Sequence, residues 1–231
     1  MKPFKFREFN INQSPNVFRV GTDGVLLGAL ASVANCSKVL EVGTGTGLIS
    51  LMIAQRNANA EIVALEINAE AETLAAENFK NSPFSERLKT AHQDFKLFDT
   101  EEKFDLIISN PPYFEKNPSE KDILARQQTE LTFQNLISKS SEILNHNGIL
   151  SVIVPADAAA EFIFISLKNG LHLQRRISIS GIRNSKPKRA ILEFGFEEKL
   201  IIENEFVIEK SPRKYSDEYL DLTKDFHVFG S

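Results

Sequence analysis

Short apolar runs alternate with amphipathic segments along most of the chain. Such runs are typical of strands that are buried on both faces of a parallel sheet. Between them, apolar residues recur at helical spacing, as in Ala71, Leu74, Ala75 and Phe79. The alternation predicts an α/β fold in which helices cover both faces of a mostly parallel sheet. The predicted parallel strands are residues 38–42, 61–65, 88–91, 104–109 and 149–154.

The N-terminal region has a less regular pattern. Residues 1–17 are polar with scattered phenylalanines and predict an irregular arm. Residues 21–30 predict a helix, and Thr22 or Asp23 could cap its start. The alternative is that residues 21–24 bring backbone and a carboxylate up to a ligand.

The later segments also carry boundary signals. Thr132 is placed to cap a helix, and Asn147 with Gly148 predicts a turn before the fifth strand. Residues 176–180 and 189–196 predict the final strands. The connection between them is too short for a helix, so they should pair antiparallel. The predicted sheet therefore has seven strands, with an antiparallel last strand, in a single domain of 231 residues.

Composition narrows the classes of function. The net charge of −4 provides no overall argument for nucleic-acid binding, which would need a local patch. Cys36 is the only cysteine, so an intrachain disulfide is excluded and a cytoplasmic location is expected. The N terminus lacks an apolar signal core, and no apolar run approaches the roughly 18 residues of a membrane span. We therefore expect no membrane association. No His/Cys cluster has the spacing of metal ligands, so we also expect no metal.

A glycine-rich loop follows the first predicted strand. Gly43, Thr44, Gly45, Thr46 and Gly47 separate this strand from a helical pattern, an arrangement typical of nucleotide-binding units. Leu48 stands where a dinucleotide fingerprint has its third glycine, and the loop has no lysine for a phosphate. Glu41, just before the loop, would repel a pyrophosphate and attract an amine. The loop therefore favours a phosphate-free ligand that carries an amino acid, such as S-adenosylmethionine.

Acidic residues follow the next two strands. Glu66 lies about 20 residues after the loop, where the ribose-binding acid of this topology belongs. Asp94 could accept an adenine amine, and Phe95 could pack on its ring. The alternatives are a solvated surface Glu and an ordinary turn Asp. Because ligands of open α/β sheets bind beyond the carboxyl ends of the strands, we expect these residues and the loop to meet there.

The fourth strand runs into Asn110, Pro111, Pro112 and Tyr113. Each proline has a fixed φ and lacks an N–H, so the strand ends in a stiff ledge. The Asn110 side-chain oxygen and the Pro111 carbonyl could accept the two N–H groups of an exocyclic amine, while Tyr113 stacks on its ring. The alternative is an Asx-Pro turn, which is common after strands.

Positive charge is concentrated in one later segment. Residues 162–192 contain no Asp or Glu, which makes the segment a candidate phosphate-binding surface. The alternative is a solvated hairpin. A smaller basic tip lies at residues 211–215. The basic residues of the main segment are Lys168, Arg175, Arg176, Arg183, Lys186, Lys188 and Arg189.

The chain resembles a known enzyme family over nearly its whole length. Residues 41–47 resemble motif I of the class I S-adenosylmethionine-dependent methyltransferases, and residues 110–113 resemble their amino-methyltransferase motif IV. The fuller pattern is similar to the bacterial tRNA1(Val) adenine-N6 methyltransferases, which commonly have Lys where Arg19 stands. That similarity is carried by residues 19–28, 125–126, 187–190 and 215–226.

The resemblance implies a Rossmann-like fold that binds S-adenosylmethionine and methylates the adenine next to the anticodon of one tRNA. It divides the chain into an N-terminal arm and helix (1–37), a cofactor-binding half (38–110) and a substrate-binding half (111–231), in a monomer or weak dimer. The implied cofactor residues are Thr22, Asp23, Glu41, Gly43, Thr44, Gly45, Gly47, Glu66, Ile67, Asp94, Phe95 and Asn110. The expected RNA-binding residues are Arg126, Arg175, Arg176, Arg183, Lys186, Lys188 and Arg189, with residues 114–126 as a mobile loop that closes over the base.

Several alternatives remain open at this point. A protein glutamine methyltransferase or an rRNA guanine-N2 methyltransferase could use the same ledge, because their substrates present the same pair of N–H donors. A DNA adenine methyltransferase would need a target-recognition insert that the chain lacks. A non-catalytic module that binds nucleotide or RNA would not need Asn110 and Tyr113, and an NAD dehydrogenase is disfavoured by Leu48 and the ledge.

Overall fold

The computed structural model describes residues 1–17, 19–112 and 131–227. Within these ranges, nine strands form one sheet, and two short strands, β1 (Phe4–Lys5) and β2 (Asn10–Ile11), form a separate hairpin. The strands of the large sheet are β3 (Lys38–Val42), β4 (Glu61–Glu66), β5 (Leu88–His92), β6 (Phe104–Ser109), β7 (Leu144–Pro155), β8 (His172–Ile182), β9 (Arg189–Gly195), β10 (Ile202–Ser211) and β11 (Lys214–Tyr215). Their order is β11-β10-β8-β9-β7-β6-β3-β4-β5.

The pairing of the strands confirms the predicted α/β architecture. Strands β5, β4, β3, β6 and β7 are parallel neighbours, and β9 is antiparallel to both β7 and β8. These seven strands form the predicted sheet. The predicted total of seven is nevertheless wrong, because β10 adds a parallel strand at the β8 edge and β11 pairs with β10. The first four residues of β10 are exposed, so its N-terminal part lacks the buried apolar run that is typical of the inner strands.

Helices cover both faces of the sheet. The helices are α1 (Thr22–Leu30), α2 (Leu48–Arg56), α3 (Ala69–Lys80), α4 (Phe133–Ile143), α5 (Ala159–Lys168) and α6 (Asp217–Thr223). One core lies on the side of α1 and α2 and includes Val39. The other lies on the side of α4 and α5 and includes Leu40. Successive strand residues enter opposite cores because side chains alternate across a strand.

Local sequence signals explain some of the helix boundaries. The Thr132 side chain accepts a hydrogen bond from the Asn135 N–H and caps α4 as predicted. Asn169 and Gly170 close α5, and Gly170 has a φ of +74° that favours glycine. The predicted cap of α1 is wrong, since the N-cap residue is Gly21 and no side chain bonds there.

Two other local expectations are corrected. The N-terminal arm is not irregular, because it contains the β1–β2 hairpin and buries Phe6, Phe9 and Ile11. Phe6 pairs with His227, so the hairpin packs against the C-terminal part of the chain. Asn147 and Gly148 form no turn and lie inside β7, where the pairing with β6 changes register.

No helix within the described ranges is long and apolar enough to span a membrane.

Candidate active site

Strand register brings the predicted site residues to one edge of the sheet. Val42 lies opposite Leu65 of β4 on one side and Ser109 of β6 on the other. The chain segments that leave these three strands therefore start side by side. In addition, the Ser109 hydroxyl donates to the Val42 carbonyl at 2.8 Å, which joins the end of β6 to the start of the glycine loop. Asn110 and the glycine loop thus share the same carboxyl edge.

The glycine loop is held by backbone bonds and is open above. The N–H groups of Gly43 and Thr44 donate to the Leu65 carbonyl at 2.9 and 3.1 Å. Gly43 and Gly45 have φ values of +75° and +57°, and a Cβ added at either position would meet no atom within 4 Å. At Gly47, by contrast, an added Cβ would lie 2.5 Å from the Phe79 ring. The loop is therefore packed from behind and leaves space above Gly43 and Gly45 for a ligand.

Glu66 connects the second strand to this loop. Its Oε2 accepts from the Gly45 N–H at 2.8 Å, and its Oε1 accepts from the Asn68 N–H at 3.0 Å. The carboxylate is largely buried, which strengthens these charge-assisted bonds. Ile67 follows with its side chain 56% exposed beside the crevice, where it can pack on a planar ligand.

Glu41 is a buried acid at the base of the loop. Its Oε2 accepts from the Thr44 hydroxyl at 2.7 Å, from the Ser50 N–H at 3.1 Å and from the Ser50 hydroxyl. Its Oε1 is buried and has no hydrogen-bond partner among the described residues. Burial is the main cause that raises the pKa of Glu41 to about 7, and the nearby Glu66 carboxylate also raises it. The hydrogen bonds from Ser50 and Thr44 act in the opposite direction and lower the pKa. The unpartnered oxygen is a suitable acceptor for an amino group.

The pKa of Glu41 predicts a specific dependence of stability on pH. The folded protein holds the proton more tightly than the unfolded chain, so this group stabilises the fold fully below its ordinary pKa of 4.5 and loses that contribution as pH rises through about 7. Glu41→Gln mimics the protonated acid. We therefore expect the stability of the variant relative to the parent to increase by about 3 kcal/mol between pH 4.5 and pH 8. Urea unfolding at several pH values measures this difference, and a difference that is independent of pH would contradict the assignment.

Asp94 and Phe95 lie next to Glu66, but they differ in accessibility. The Gln93 N–H donates to the Glu66 carbonyl at 2.9 Å, which places this segment beside β4. The Asp94 side chain caps a short 3-10 helix by accepting from the Lys96 N–H at 2.9 Å. The Phe95 ring is 4% exposed and packs within the core. This location does not fit the predicted contact between the Phe95 ring and a ligand ring.

Helix α1 places Thr22 and Asp23 close to the start of α2. A Cβ at Gly24 would lie 3.1 Å from the Leu48 side chain, so the two helices approach closely near their N termini. Asp23 is paired with Arg189 of β9, with 2.8 Å between Oδ2 and Nε. One predicted cofactor residue and one predicted RNA-binding residue thus form an ion pair with each other at this edge.

The ledge is only partly within the described residues. Asn110 is half-buried, Pro111 is buried and Pro112 is exposed. Tyr113, Arg126 and the predicted loop 114–126 lie outside the described residues.

The basic segment is divided between internal and exposed positions. Arg175 donates to the Leu30 carbonyl at 2.9 Å and pairs with the buried Glu193 at 3.4 Å. Arg176 is half-buried in the middle of β8, and Lys168 lies over the Phe164 ring at the end of α5. Arg183, Lys186 and Lys188 are exposed in the turn between β8 and β9. We therefore omit Arg175 and Arg176 from the candidate RNA surface.

Asn78 of α3 is a site residue that sequence reasoning missed. It is 1% exposed, and its amide oxygen accepts from the Asn12 N–H at 2.8 Å. Its amide nitrogen donates to the Asn12 carbonyl at 3.2 Å and to the Thr46 carbonyl at 2.8 Å. The side chain thereby connects the N-terminal arm to the glycine loop. A polar residue within the apolar stripe of α3 was the available signal.

Asn78→Asp keeps the shape of the side chain but removes both donated hydrogen bonds. Because a carboxylate would face the Thr46 carbonyl, we expect the free energy of unfolding to fall by about 2 kcal/mol and the KM for S-adenosylmethionine to rise about tenfold at nearly unchanged kcat. Urea unfolding and steady-state kinetics measure the two effects. The exposed Asn59→Asp is the matched control. A loss of stability without a change in KM would show that Asn78 only supports the fold.

The described part of the chain contains no group of three or more His, Cys, Asp or Glu side chains placed to hold a metal ion.

The chain is similar over most of its length to a family of methyltransferases. The family model of the methyltransferase small domain matches residues 8–172. The chain is 54% identical over 230 residues to a tRNA1(Val) (adenine(37)-N6)-methyltransferase from a Flavobacteriaceae bacterium (strain 3519-10), an alignment that covers 99% of this chain and 100% of the relative. It is 41% identical to the protein of the same name from Phocaeicola vulgatus, with 97% of each chain covered.

Solved structures share the fold at low sequence identity. A protein from Agrobacterium tumefaciens, described as a predicted O-methyltransferase, has a TM-score of 0.70 at 20% identity, covering 88% of this chain and 96% of that chain. The N-methyltransferase NodS from Bradyrhizobium japonicum has a TM-score of 0.52 at 19% identity, covering 74% and 90%. These similarities concern the arrangement of strands and helices.

Proposed function

Because this chain belongs to the tRNA1(Val) (adenine(37)-N6)-methyltransferase family, we propose that it transfers a methyl group from S-adenosylmethionine to N6 of adenine 37 in the anticodon loop of a tRNA. The observation that carries the proposal is the shared edge of the glycine loop, Glu66 and Asn110. There, Val42 lies opposite Leu65 and Ser109, so the segments proposed to bind the cofactor and the amine start side by side.

The residues at the crevice fit S-adenosylmethionine. The unpartnered Glu41 oxygen suits a positively charged amino group, and the open space above Gly43 and Gly45 lets a ligand approach the backbone. The Glu66 carboxylate can accept from ribose hydroxyl groups, and the exposed Ile67 side chain can cover a planar base. When bound, this cofactor supplies an electrophilic methyl group.

The ledge supplies orientation and polarisation. The N6 amine of adenine is a poor nucleophile because its lone pair is delocalised into the ring. The Asn110 oxygen and the Pro111 carbonyl accept its two N–H groups, which raises the electron density on nitrogen and holds it in position. We propose that Tyr113 stacks on the base. A strong general base is not required, since the nitrogen becomes acidic once it carries the methyl group and releases a proton to water.

The substrate must leave its base stack before it reaches the ledge. Unstacking a base costs a few kcal/mol, and this cost is lowest in a single-stranded loop. An anticodon loop therefore suits a site that lies at an exposed sheet edge.

We also propose that the protein acts in the cytoplasm as a monomer or weak dimer. Light scattering at assay concentrations would test the oligomeric state.

The test is methyl transfer from labelled S-adenosylmethionine to total bacterial tRNA, followed by nucleoside mass spectrometry. We expect N6-methyladenosine in the tRNA. A tRNA(Val) transcript with adenine 37 should accept the label, and the same transcript with guanine 37 is the matched control. Label on protein glutamine or on guanine N2 in rRNA, with none on tRNA, would overturn the proposal and favour the related amino-methyltransferases.

A further inference from the structure

We infer that two neighbouring basic turns form one surface that binds the sugar–phosphate backbone of the tRNA beside the methyl-transfer site. The first turn, residues 183–188, joins β8 to β9. The second, residues 212–213, joins β10 to β11, and Lys214, the first residue of β11, is counted with it. The inference rests on the proposed function and adds to it the residues that hold the substrate away from the reacting base.

Strand pairing places the two turns side by side. Strands β8 and β10 are parallel, and Ile182 at the end of β8 lies opposite Glu209 near the end of β10. Each turn contains one residue in the left-handed region, Asn184 with a φ of 63° and Arg213 with a φ of 65°. Because both turns leave the sheet at the same position along neighbouring strands, their side chains share one surface.

This surface lies on the same sheet edge as the candidate active site. Arg189, which follows the first turn, pairs with Pro155 at the carboxyl end of β7. Strand β7 is parallel to β6, and Val152 of β7 lies opposite Ser109 of β6, the residue before Asn110. The ion pair between Arg189 and Asp23 also joins the base of the first turn to the start of α1. A ligand on the turns can therefore reach the ledge.

The charges on the two turns are available to a partner. Arg183, Lys186, Lys188, Arg213 and Lys214 are exposed, and within the described ranges none of them forms an ion pair. Two nearby groups are already engaged. Lys210 pairs with Asp217 at 3.0 Å, and the Glu209 carboxylate accepts from the Arg213 N–H at 3.1 Å.

The chemistry of this surface fits a polyanion with regularly spaced charges. The whole chain has a net charge of −4, so the five exposed basic residues concentrate positive charge against an acidic background. Lysine and arginine bind phosphates without reading bases, which suits a role in positioning RNA. If all five neutralise phosphates, the logarithm of the tRNA association constant should fall with the logarithm of salt concentration with a slope of about −4.

The test compares two double variants that remove the same charge. Arg213→Ser/Lys214→Ser removes the second turn's charges, and Lys89→Ser/Lys199→Ser is the matched control. Lys89 lies on β5 at the other border of the sheet, and Lys199 lies between β9 and β10 at the opposite edge. Fluorescence anisotropy measures the Kd for tRNA at salt concentrations from roughly 50 to 300 mM, because affinity that depends on phosphate contacts falls with salt. Calorimetry measures the Kd for S-adenosylmethionine.

We expect the variant of the second turn to bind tRNA about tenfold more weakly near 150 mM salt and to have a salt slope of about −2. Its Kd for S-adenosylmethionine and its kcat at saturating tRNA should be unchanged. Arg183→Ser/Lys186→Ser in the first turn should produce a similar loss, and the control should match the parent protein. The inference is overturned if the second-turn variant binds tRNA as tightly as the control variant. In that case, methylation of tRNA by the parent protein would still support the proposed function. Absence of that methylation would instead remove the proposed function.

Discussion

Asn110→Ala is expected to lower the kcat of methyl transfer by about 10²–10³-fold, which corresponds to roughly 3–4 kcal/mol of lost transition-state stabilisation. The reason is the location of this side chain directly after Ser109, at the end of β6, whose neighbour β3 runs into the glycine loop. Alanine would leave only the Pro111 carbonyl to accept from the amine. Single-turnover kinetics with tRNA and labelled S-adenosylmethionine isolate the chemical step.

Two controls accompany Asn110→Ala, one for cofactor binding and one for the loss of an amide side chain elsewhere in the protein. The Kd for S-adenosylmethionine, measured by calorimetry, should stay near the parent value, because the residues proposed to hold the cofactor are unchanged. Asn147→Ala, at an exposed position in β7, removes the same amide far from the ledge and should retain full activity. A fully active Asn110→Ala enzyme would exclude the proposed role of the ledge.

Glu66→Gln is expected to weaken the binding of S-adenosylmethionine by about 100-fold, or roughly 3 kcal/mol. In the parent protein the two carboxylate oxygens accept from the N–H groups of Gly45 and Asn68. Glutamine has one carbonyl oxygen, so its amino group would face one of these donors and the loop would have to shift. The variant also loses the charge that accepts ribose hydroxyls. Calorimetric titration of S-adenosylmethionine and S-adenosylhomocysteine measures the loss.

Glu61→Gln is the matched control for Glu66→Gln. Glu61 begins the strand that Glu66 ends, and it is exposed at the opposite edge of the sheet. The same chemical change there should leave the affinity within a factor of about two, because surface substitutions away from special features have small effects. Equal affinities in the two variants would contradict the assignment of Glu66 to the cofactor site.

Much of the fold was predictable from local patterns. Strand β3 was predicted with its observed bounds, and the signal at Thr132 identified the start of α4. These features depend on nearest neighbours in the sequence, namely side-chain periodicity and capping oxygens. The convergence of the glycine loop, Glu66 and Asn110 was also predictable, since parallel strands deliver their carboxyl ends to one edge.

Other elements were not predictable because their stabilising contacts are distant in the sequence. The N-terminal arm looked irregular by itself, and its order comes from packing against the C-terminal part of the chain. The same holds for β10, whose exposed first half gains its structure from pairing with β8. An isolated hairpin or edge strand is at best marginally stable in water, so its conformation depends on the segments it packs against.

The sequence was sufficient to predict the class of fold and to propose a cofactor crevice and an amine-binding ledge, because the signal for each is a short motif at a strand end. Tertiary structure decided which charged and polar side chains are available. Arg175 and Arg189 are engaged with Glu193 and Asp23, respectively, and Asn78 reaches the glycine loop from α3. Only the parallel pairing of β8 with β10 brings the two basic turns together. The partner of a side chain depends on contacts between segments far apart in the chain, and local sequence patterns carry no information about such contacts.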